Sequence, residues 1–281
     1  MSTTTPRPHA VPARPLVRRS PVDVVVSDRW ADVREAITMV HDGFVESGYM
    51  PPQPSGRRMI LPYMTPGTAF YVARIDDAPA AVMALIPDGP FGLPADRAFR
   101  EELDALRAQR RPLFECGSLV VLPAWRRRVR DLAAHLMGAA SRLFLDEVQG
   151  GRVVIVVSPH QAGFYAGLLD FRVLGAERPL YGAPALLLET HEMRMREHLV
   201  GSDLVGQRLV ADLVMADEAP WIDDRRGGPP WPAAELEPLL REQRVLDGLR
   251  EQVRALRDLG LGGELDEDPV RPPVPLRVVG G

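Results

Sequence analysis

Leu113-Phe114-Glu115-Cys116-Gly117-Ser118-Leu119-Val120-Val121 sets a carboxylate inside an otherwise apolar strand pattern, and Leu122-Pro123-Ala124-Trp125-Arg126-Arg127-Arg128-Val129-Arg130 follows it directly. Leu132, Leu136, Ala139, Ala140 and Leu143 then recur at helical spacing and predict a helix near 128–146, before a second apolar strand at 152–157. Strand, helix and buried strand in that order read as a right-handed crossover, which places two parallel neighbours in one sheet. The second strand runs into Ser158-Pro159-His160-Gln161-Ala162-Gly163-Phe164-Tyr165. A segment of this kind can hold a base beside an anion site; ordinary α/β packing is the plainer reading.

On the N-terminal side, residues 1–20, rich in Thr, Pro and Arg, read as a disordered tail. A short strand at 22–26 leads to Ser27 or Asp28 as the cap of a helix carrying Val33, Ile37 and Val40. Residues 43–66 are apolar and irregular, with Tyr49, Met50, Met59, Leu61, Tyr63 and Met64 among prolines, and either line a pocket or pack as a loop over the sheet. The runs 69–75 and 80–86, separated by Asp76-Asp77-Ala78-Pro79, predict an antiparallel hairpin. A helix from Asp96 follows, with Phe99, Leu103 and Leu106 as its apolar stripe and Arg100, Glu101, Asp104 and Arg107 on the wet side.

On the C-terminal side, Phe164, Leu168 and Leu169 predict a short helix after Pro159, then strands near 171–174 and 184–188. Beyond Glu189 the character changes: 191–214 reads as helical and 219–232 as a Pro/Gly-rich connector with Trp221 and Trp231. Pro232 or Pro238 opens a last helix whose Leu239, Leu246, Leu249, Val253 and Leu256 approximate a heptad seam, docked on its own domain or used for self-association. The expected division is a tail at 1–20, a domain at 21–190, a helical extension at 191–260 and a flexible tail at 261–281.

A formal charge of -4 gives no general attraction to nucleic acid. Cys116 is the only cysteine, which excludes an intramolecular disulfide and a structural zinc site built on thiolates. His191 and His198, seven apart around Glu192 and Glu197, do not form the His-Glu-x-x-His string, so no metal is expected. Arg14, Arg18 and Arg19 are not followed by an apolar segment of the kind a secretory signal needs, and no run is long enough to span a bilayer. A cytoplasmic protein is the expectation.

An internal strand excludes a carboxylate unless a partner or a solvent-filled cleft receives it. Glu115 is therefore either a base, its pKa raised by burial, or a charge on a wet edge or paired with an arginine such as Arg111. Cys116 faces the other way on a regular strand and fills core. Arg126, Arg127, Arg128 and Arg130 stand at a helix entrance, where free N–H groups and guanidinium forks suit an anion; a solvated basic patch is the alternative. His160 is an orienting or catalytic group, or merely a loop or capping residue. Tyr165 is a donor to a leaving thiolate or carbonyl, or a half-buried packing residue.

Three stretches carry a resemblance: Gly92-Leu93-Pro94-Ala95-Asp96 through Phe99-Arg100-Glu101-Glu102-Leu103-Asp104-Ala105-Leu106-Arg107; Glu115 with Leu119-Val120-Val121; and Ser158-Pro159-His160 with Phe164-Tyr165-Leu168-Leu169-Asp170-Phe171. Over residues 22–190 the chain resembles the N-acetyltransferase-like (GNAT) superfamily, and more closely its N-acyl amino acid synthase branch, related to acyl-homoserine-lactone synthases. The resemblance implies an α/β fold with a mixed central sheet flanked by helices, here with a mainly helical C-terminal extension. It implies transfer of a fatty acyl group from acyl carrier protein or acyl-CoA, as donor substrate rather than bound cofactor, to the amino group of an amino acid.

By that resemblance Glu115 is the base on the fourth strand, and Leu119, Val120 and Val121 flank the donor's pantetheine arm. The arginine turn replaces the glycine-rich pyrophosphate loop of acetyl-CoA enzymes, and suits a carrier protein's single phosphate and acidic surface better than CoA. Two alternatives stay open: an acyltransferase with another amine acceptor, such as a homoserine-lactone-type signal precursor, and a noncatalytic acyl-binding regulatory module.

Overall fold

A computed structural model describes residues 22–201 and 205–242. The two expected tails and Leu246, Leu249, Val253 and Leu256 of the heptad seam lie outside them. The strands are β1 (Asp23–Ser27), β2 (Ala69–Ile75), β3 (Ala78–Pro87), β4 (Leu113–Val121), β5 (Arg152–Val157), β6 (Arg172–Leu180), β7 (Ala183–His191) and β8 (Ile222–Asp224). They form one mixed sheet in the order β6-β7-β5-β4-β3-β2-β1-β8. The helices are α1 (Trp30–Glu46), α2 (Asp96–Arg107), α3 (Val129–Glu147), α4 (Ala162–Leu169), α5 (Glu192–Val200), α6 (Val205–Met215) and α7 (Ala233–Glu242).

Period-two alternation in the strands sorts the core into two layers. Val24, Val26, Tyr71, Ala73 and Met83 face a cluster completed by α3, α4, α5 and α6. Phe70, Val72, Val82 and Ala84 face the opposite cluster, built with α1, α2 and α7. The β2–β3 hairpin closes through Asp76 and Asp77, both in the left-handed region at φ 50° and 64°, as a two-residue turn matching strand twist requires. Phe99, Leu103 and Leu106 are the buried stripe of α2, as their spacing predicts.

The crossover predicted from 113–157 is present, with β4 and β5 parallel. Their pairing covers only Leu113 with Arg152, Phe114 with Val153 and Glu115 with Val154. Beyond Glu115 the two strands part, β5 staying on β7 and β4 on β3. A bulge marks the fork: Val82 pairs with Val120 and Ala84 with Gly117, so Ser118 and Leu119 oppose Met83 alone, and Ser118 takes φ 57°.

Three local expectations are corrected. Neither Ser27 nor Asp28 caps α1, whose N-cap is Arg29 without a side-chain bond. Ser27 Oγ is engaged with Asp32 Oδ2 at 2.7 Å, and the Asp28 carboxylate accepts from the Gly227 and Gly228 N–H groups at 3.0 and 2.9 Å. The stretch read as one helix from 191 starts instead with His191 as the last residue of β7, its Nδ1 accepting from the Arg194 N–H of α5. The connector at 219–232 contains β8, parallel to β1, and Pro238 lies inside α7 while Pro232 immediately precedes it. Among the described residues no helix is long and apolar enough to cross a membrane.

Candidate active site

Where β4 and β5 part, a cavity of about 310 Å³ passes between them. Glu115, Gly117, Ser118 and Leu119 line one side, and Ile155, Val156, Val157 and Ser158 the other. Phe44, Tyr49, Arg58 and Tyr181 wall it on the α1 face, while Met137 of α3 and Tyr165 of α4 close it on the opposite face. The opening exists because a parallel pair that stops pairing leaves peptide edges with no strand between them.

Glu115 sits at the fork, 4% exposed. Among the described residues its one hydrogen bond is accepted at Oε2 from the Ala95 N–H at 2.8 Å, and no arginine, Arg111 included, pairs with it. Burial raises its pKa to about 8; the nearby Asp96 adds to the rise, and the Ala95 N–H and the more distant Arg58 oppose it. A carboxyl held in this range can take or return a proton near neutrality.

The position of that N–H is set by the first of the three motif stretches. Gly92 has φ 66°, and a Cβ there would lie 2.7 Å from Asp96 Oδ2. Asp96 accepts from the Leu93 N–H at 2.7 Å, and Arg107 clamps Asp96 through two bonds of 2.8 and 2.7 Å while also holding Asp88 and Asp104. Burial works against the Asp96 charge, but Arg107 and the Leu93 N–H outweigh it and hold Asp96 below its ordinary pKa. The Gly92-to-Arg107 stretch thus fixes the loop that addresses Glu115.

Arg58 is the only fully buried arginine among the described residues. It donates to Tyr63 Oη at 2.8 Å and Tyr181 Oη at 3.0 Å, and its guanidinium lies 4.6 Å from the Phe44 ring centroid. Tyr63 Oη in turn bonds Ser118 Oγ at 2.6 Å, tying this network to the bulge. Burial works against the Arg58 charge, and the two tyrosines outweigh it, keeping the pKa above its ordinary value.

Tyr165 is 7% exposed and lines the cavity, its phenol pushed up first by burial and then by Cys116. Cys116 fills core, its Sγ 3.0 Å from Met83 Sδ, and burial with Glu115 behind it pushes the thiol up to about 12. Leu119 reaches the cavity, but Val120 packs towards α1, where a Cβ on Gly43 would meet its Cγ1 at 2.4 Å. Val121 packs into the core on the α3 side. His160 stays out of the cavity: both His160 and Gln161 of the 3₁₀ turn Pro159–Gln161 are exposed, but Gln161 lines the cavity and His160 does not, its Nε2 lying 3.4 Å from Ser158 Oγ.

The arginine turn is a 3₁₀ helix, Pro123–Arg128, stacked before α3. Arg126 pairs with Glu46 and Arg128 with Asp131, so half of the set is neutralised within the chain. Arg127 and Arg130 are exposed with no ion-pair partner among the described residues. Arg58, Tyr181, Phe44 and Ser118 also line the cavity and were missed by sequence reading. The signal for Arg58 was a charge immediately before the apolar run Met59-Ile60-Leu61; nothing in sequence brings Tyr181, on the β6–β7 turn, to the same place.

A mixed sheet with this fork, flanked by helices on both faces, has the GNAT-like architecture, and the molecule is an acyltransferase. Residues 35–191, more than half of the chain, match the N-acyl amino acid synthase FeeM family, and the chain belongs to that family. Among solved structures it is similar to FeeM, an N-acyl amino acid synthase from uncultured soil microbes, at 20% identity over 63% of this chain and 94% of that one, with TM-score 0.52. It is also similar to BjaI, a CoA-dependent acyl-homoserine lactone synthase solved with SAM and isopentyl-CoA, at 18% identity over 78% of this chain and 99% of that one, with TM-score 0.50. At these identities the likeness is one of fold. No curated protein matches by sequence.

Proposed function

We propose that the protein is an N-acyl amino acid synthase: it moves a fatty acyl group from an acyl thioester to the amino group of an amino acid, in the cytoplasm. The observation that carries this reading is Glu115, buried at the fork with one peptide N–H as its bonding partner and facing a cavity rather than a counter-cation. A noncatalytic binding module would have no use for a carboxyl held in that state.

In the reaction, ionised Glu115 takes a proton from the acceptor ammonium, directly or through one water. The neutral amine attacks the thioester carbonyl carbon, the C–N bond forms, and the C–S bond breaks to release thiolate. Peptide N–H groups along the unpaired edge near Leu119 to Val121 polarise the carbonyl, and the Tyr165 hydroxyl donates towards the leaving sulfur. The attacking nitrogen, cationic once the C–N bond has formed, sheds its second proton, which neutralises the thiolate, and the proton held by Glu115 passes to solvent. Arg127 and Arg130, beside the entrance to α3, receive the donor's phosphate or the acidic surface of a carrier protein, while Arg126 and Arg128 hold the turn in shape. The relation to FeeM supports an amino acid as acceptor; the likeness to BjaI, a CoA-dependent enzyme, supports CoA as a thioester carrier beside acyl carrier protein.

Mass spectrometry of lipids extracted from cells expressing the protein, against a Glu115→Gln control, tests the reading. A new amide-linked fatty acyl amino acid absent from the control is expected. Accumulation of an acylated lactone or an acylated non-amino-acid amine, or of the same product in both strains, overturns it.

A further inference from the structure

Arg58 stands apart from the other arginines of the interior. Arg107 meets three aspartates, Arg152 and Arg194 share Glu189, and Arg178 meets Glu102. Arg58 is more deeply buried than any of these, yet no carboxylate lies within ion-pair distance of it among the described residues. Of its five N–H donors, two are used by tyrosine hydroxyls, and the rest have no protein acceptor among the described residues. Withdrawing a cation from water is costly unless an anion offsets it. Neutral hydroxyls and the faces of Phe44, Tyr63 and Tyr181 keep the guanidinium charged but bring no negative charge to it.

The orphan cation and Glu115 face the same cavity and act on each other through space, Arg58 lowering the pKa of Glu115. One face of a single site therefore presents a guanidinium fork and a carboxyl, the complement of a carboxylate and an ammonium. We propose that Arg58 binds the carboxylate of the acyl acceptor and thereby makes the enzyme select α-amino acids over amines that lack a carboxylate. This deepens the proposed function and rests on it. With the carboxylate on Arg58, the ammonium turns towards Glu115 and the acceptor side chain projects to the aromatic group of Phe44, Tyr49 and Tyr181, whose ring centroids lie 5.6 to 6.3 Å apart. Tyr63 and Tyr181 hold the fork in orientation, so Arg58 is a specificity residue and touches the substrate itself.

The test begins with the unaltered protein, dodecanoyl-CoA and dodecanoyl carrier protein as donors, and the proteinogenic amino acids as acceptors. The best amino acid is then compared with its primary amide and with its decarboxylated amine. The amide is less basic than the amino acid and the amine more basic, so the pair brackets intrinsic amine reactivity. The expected result is kcat/KM for the amino acid about 30-fold or more above both analogues, the loss typical of removing one partner from a buried charge pair. Arg58→Met should collapse that preference to within a few fold by raising KM for the amino acid, with the KM for donor unchanged.

Equal use of amino acid, amide and amine by the unaltered protein overturns the inference while leaving N-acylation intact. Loss in Arg58→Met confined to the donor KM also overturns it, because the fork would then be holding a donor phosphate. Failure of every amino acid as acceptor removes the proposed function and this inference together. Should Arg58→Met not fold, the analogue comparison on the unaltered protein decides alone.

Discussion

Glu115 and Glu189 are both buried carboxylates on central strands, at 4% and 5% exposure, and they lie on one lateral row of the sheet. Glu115 pairs across with Val154, and Val154 pairs with Glu189. Their surroundings differ in kind. Glu189 is held by Arg152 at 2.5 Å and Arg194 at 3.2 Å, whereas Glu115 has a single peptide N–H at 2.8 Å and a cavity in front of it. The lesson is that burial of a carboxylate does not mark a catalytic group; what receives it does. Two guanidinium groups make Glu189 a tie between β5, β7 and α5, while their absence leaves Glu115 able to change its protonation state.

The sharpest way to break this contrast is to remove each carboxylate in turn. Glu115→Gln should lower kcat by about 10²- to 10⁴-fold, the span of a lost general base, with the far-UV spectrum and melting transition retained. Steady-state rates at saturating acceptor check it, and unchanged turnover across pH would end the assignment of Glu115 as base. Glu189→Gln should do the reverse, costing about 3 kcal/mol of stability by leaving two partly buried arginines without their counter-charge, with little effect on turnover per folded molecule. Urea denaturation reads that loss.

A pH series sharpens the same comparison. Glu115 keeps its proton in the folded protein up to about 8, whereas its ordinary value is 4.5, so the folded state binds more protons across that window. This group's contribution to stability is therefore unaffected below the window, falls as pH rises through it and is fully lost above it. Glu115→Gln should flatten the decline in urea midpoint. The kcat/KM of the unaltered enzyme should rise through the same range as Glu115 ionises.

Smaller effects are expected from the aromatic turn. Tyr165→Phe should reduce kcat about ten-fold, the value of one hydrogen bond made in the transition state, with KM unchanged. His160→Ala should stay within about two-fold of the parent in both parameters, as for an exposed side chain outside the cavity. A larger loss in the histidine variant would show that the turn rearranges when substrate binds, with His160 replacing Gln161 at the cavity wall.

The strands and helices of the catalytic half were legible because their signals are local. The stripe of Phe99, Leu103 and Leu106, the hairpin either side of Asp76 and Asp77, and the crossover from 113 to 157 all follow from period and turn chemistry. The edge strand β8 was not legible: Ile222-Asp223-Asp224 carries one apolar residue, and it is strand only because β1 offers a free edge. Asp28 looked like a cap for the same reason, since nothing local shows that the 227–228 peptide engages it, and Ser27 is taken by Asp32 five residues on.

The site divides in the same way. That Glu115 is a charge inside an apolar strand, and that arginines follow it, was written in the sequence by itself, because alternation along a strand is a one-dimensional property. That Glu115 faces a cavity, that Arg126 is neutralised by the distant Glu46, and that Gln161 rather than His160 lines the cavity were decided by tertiary structure alone. The pairing of Arg58 from the irregular segment with Tyr181 from the β6–β7 turn, more than a hundred residues on, belongs there too. A pKa near 8 at Glu115 and an unopposed buried cation are properties of what surrounds each charge, and those surroundings come from segments that meet only when the sheet is assembled.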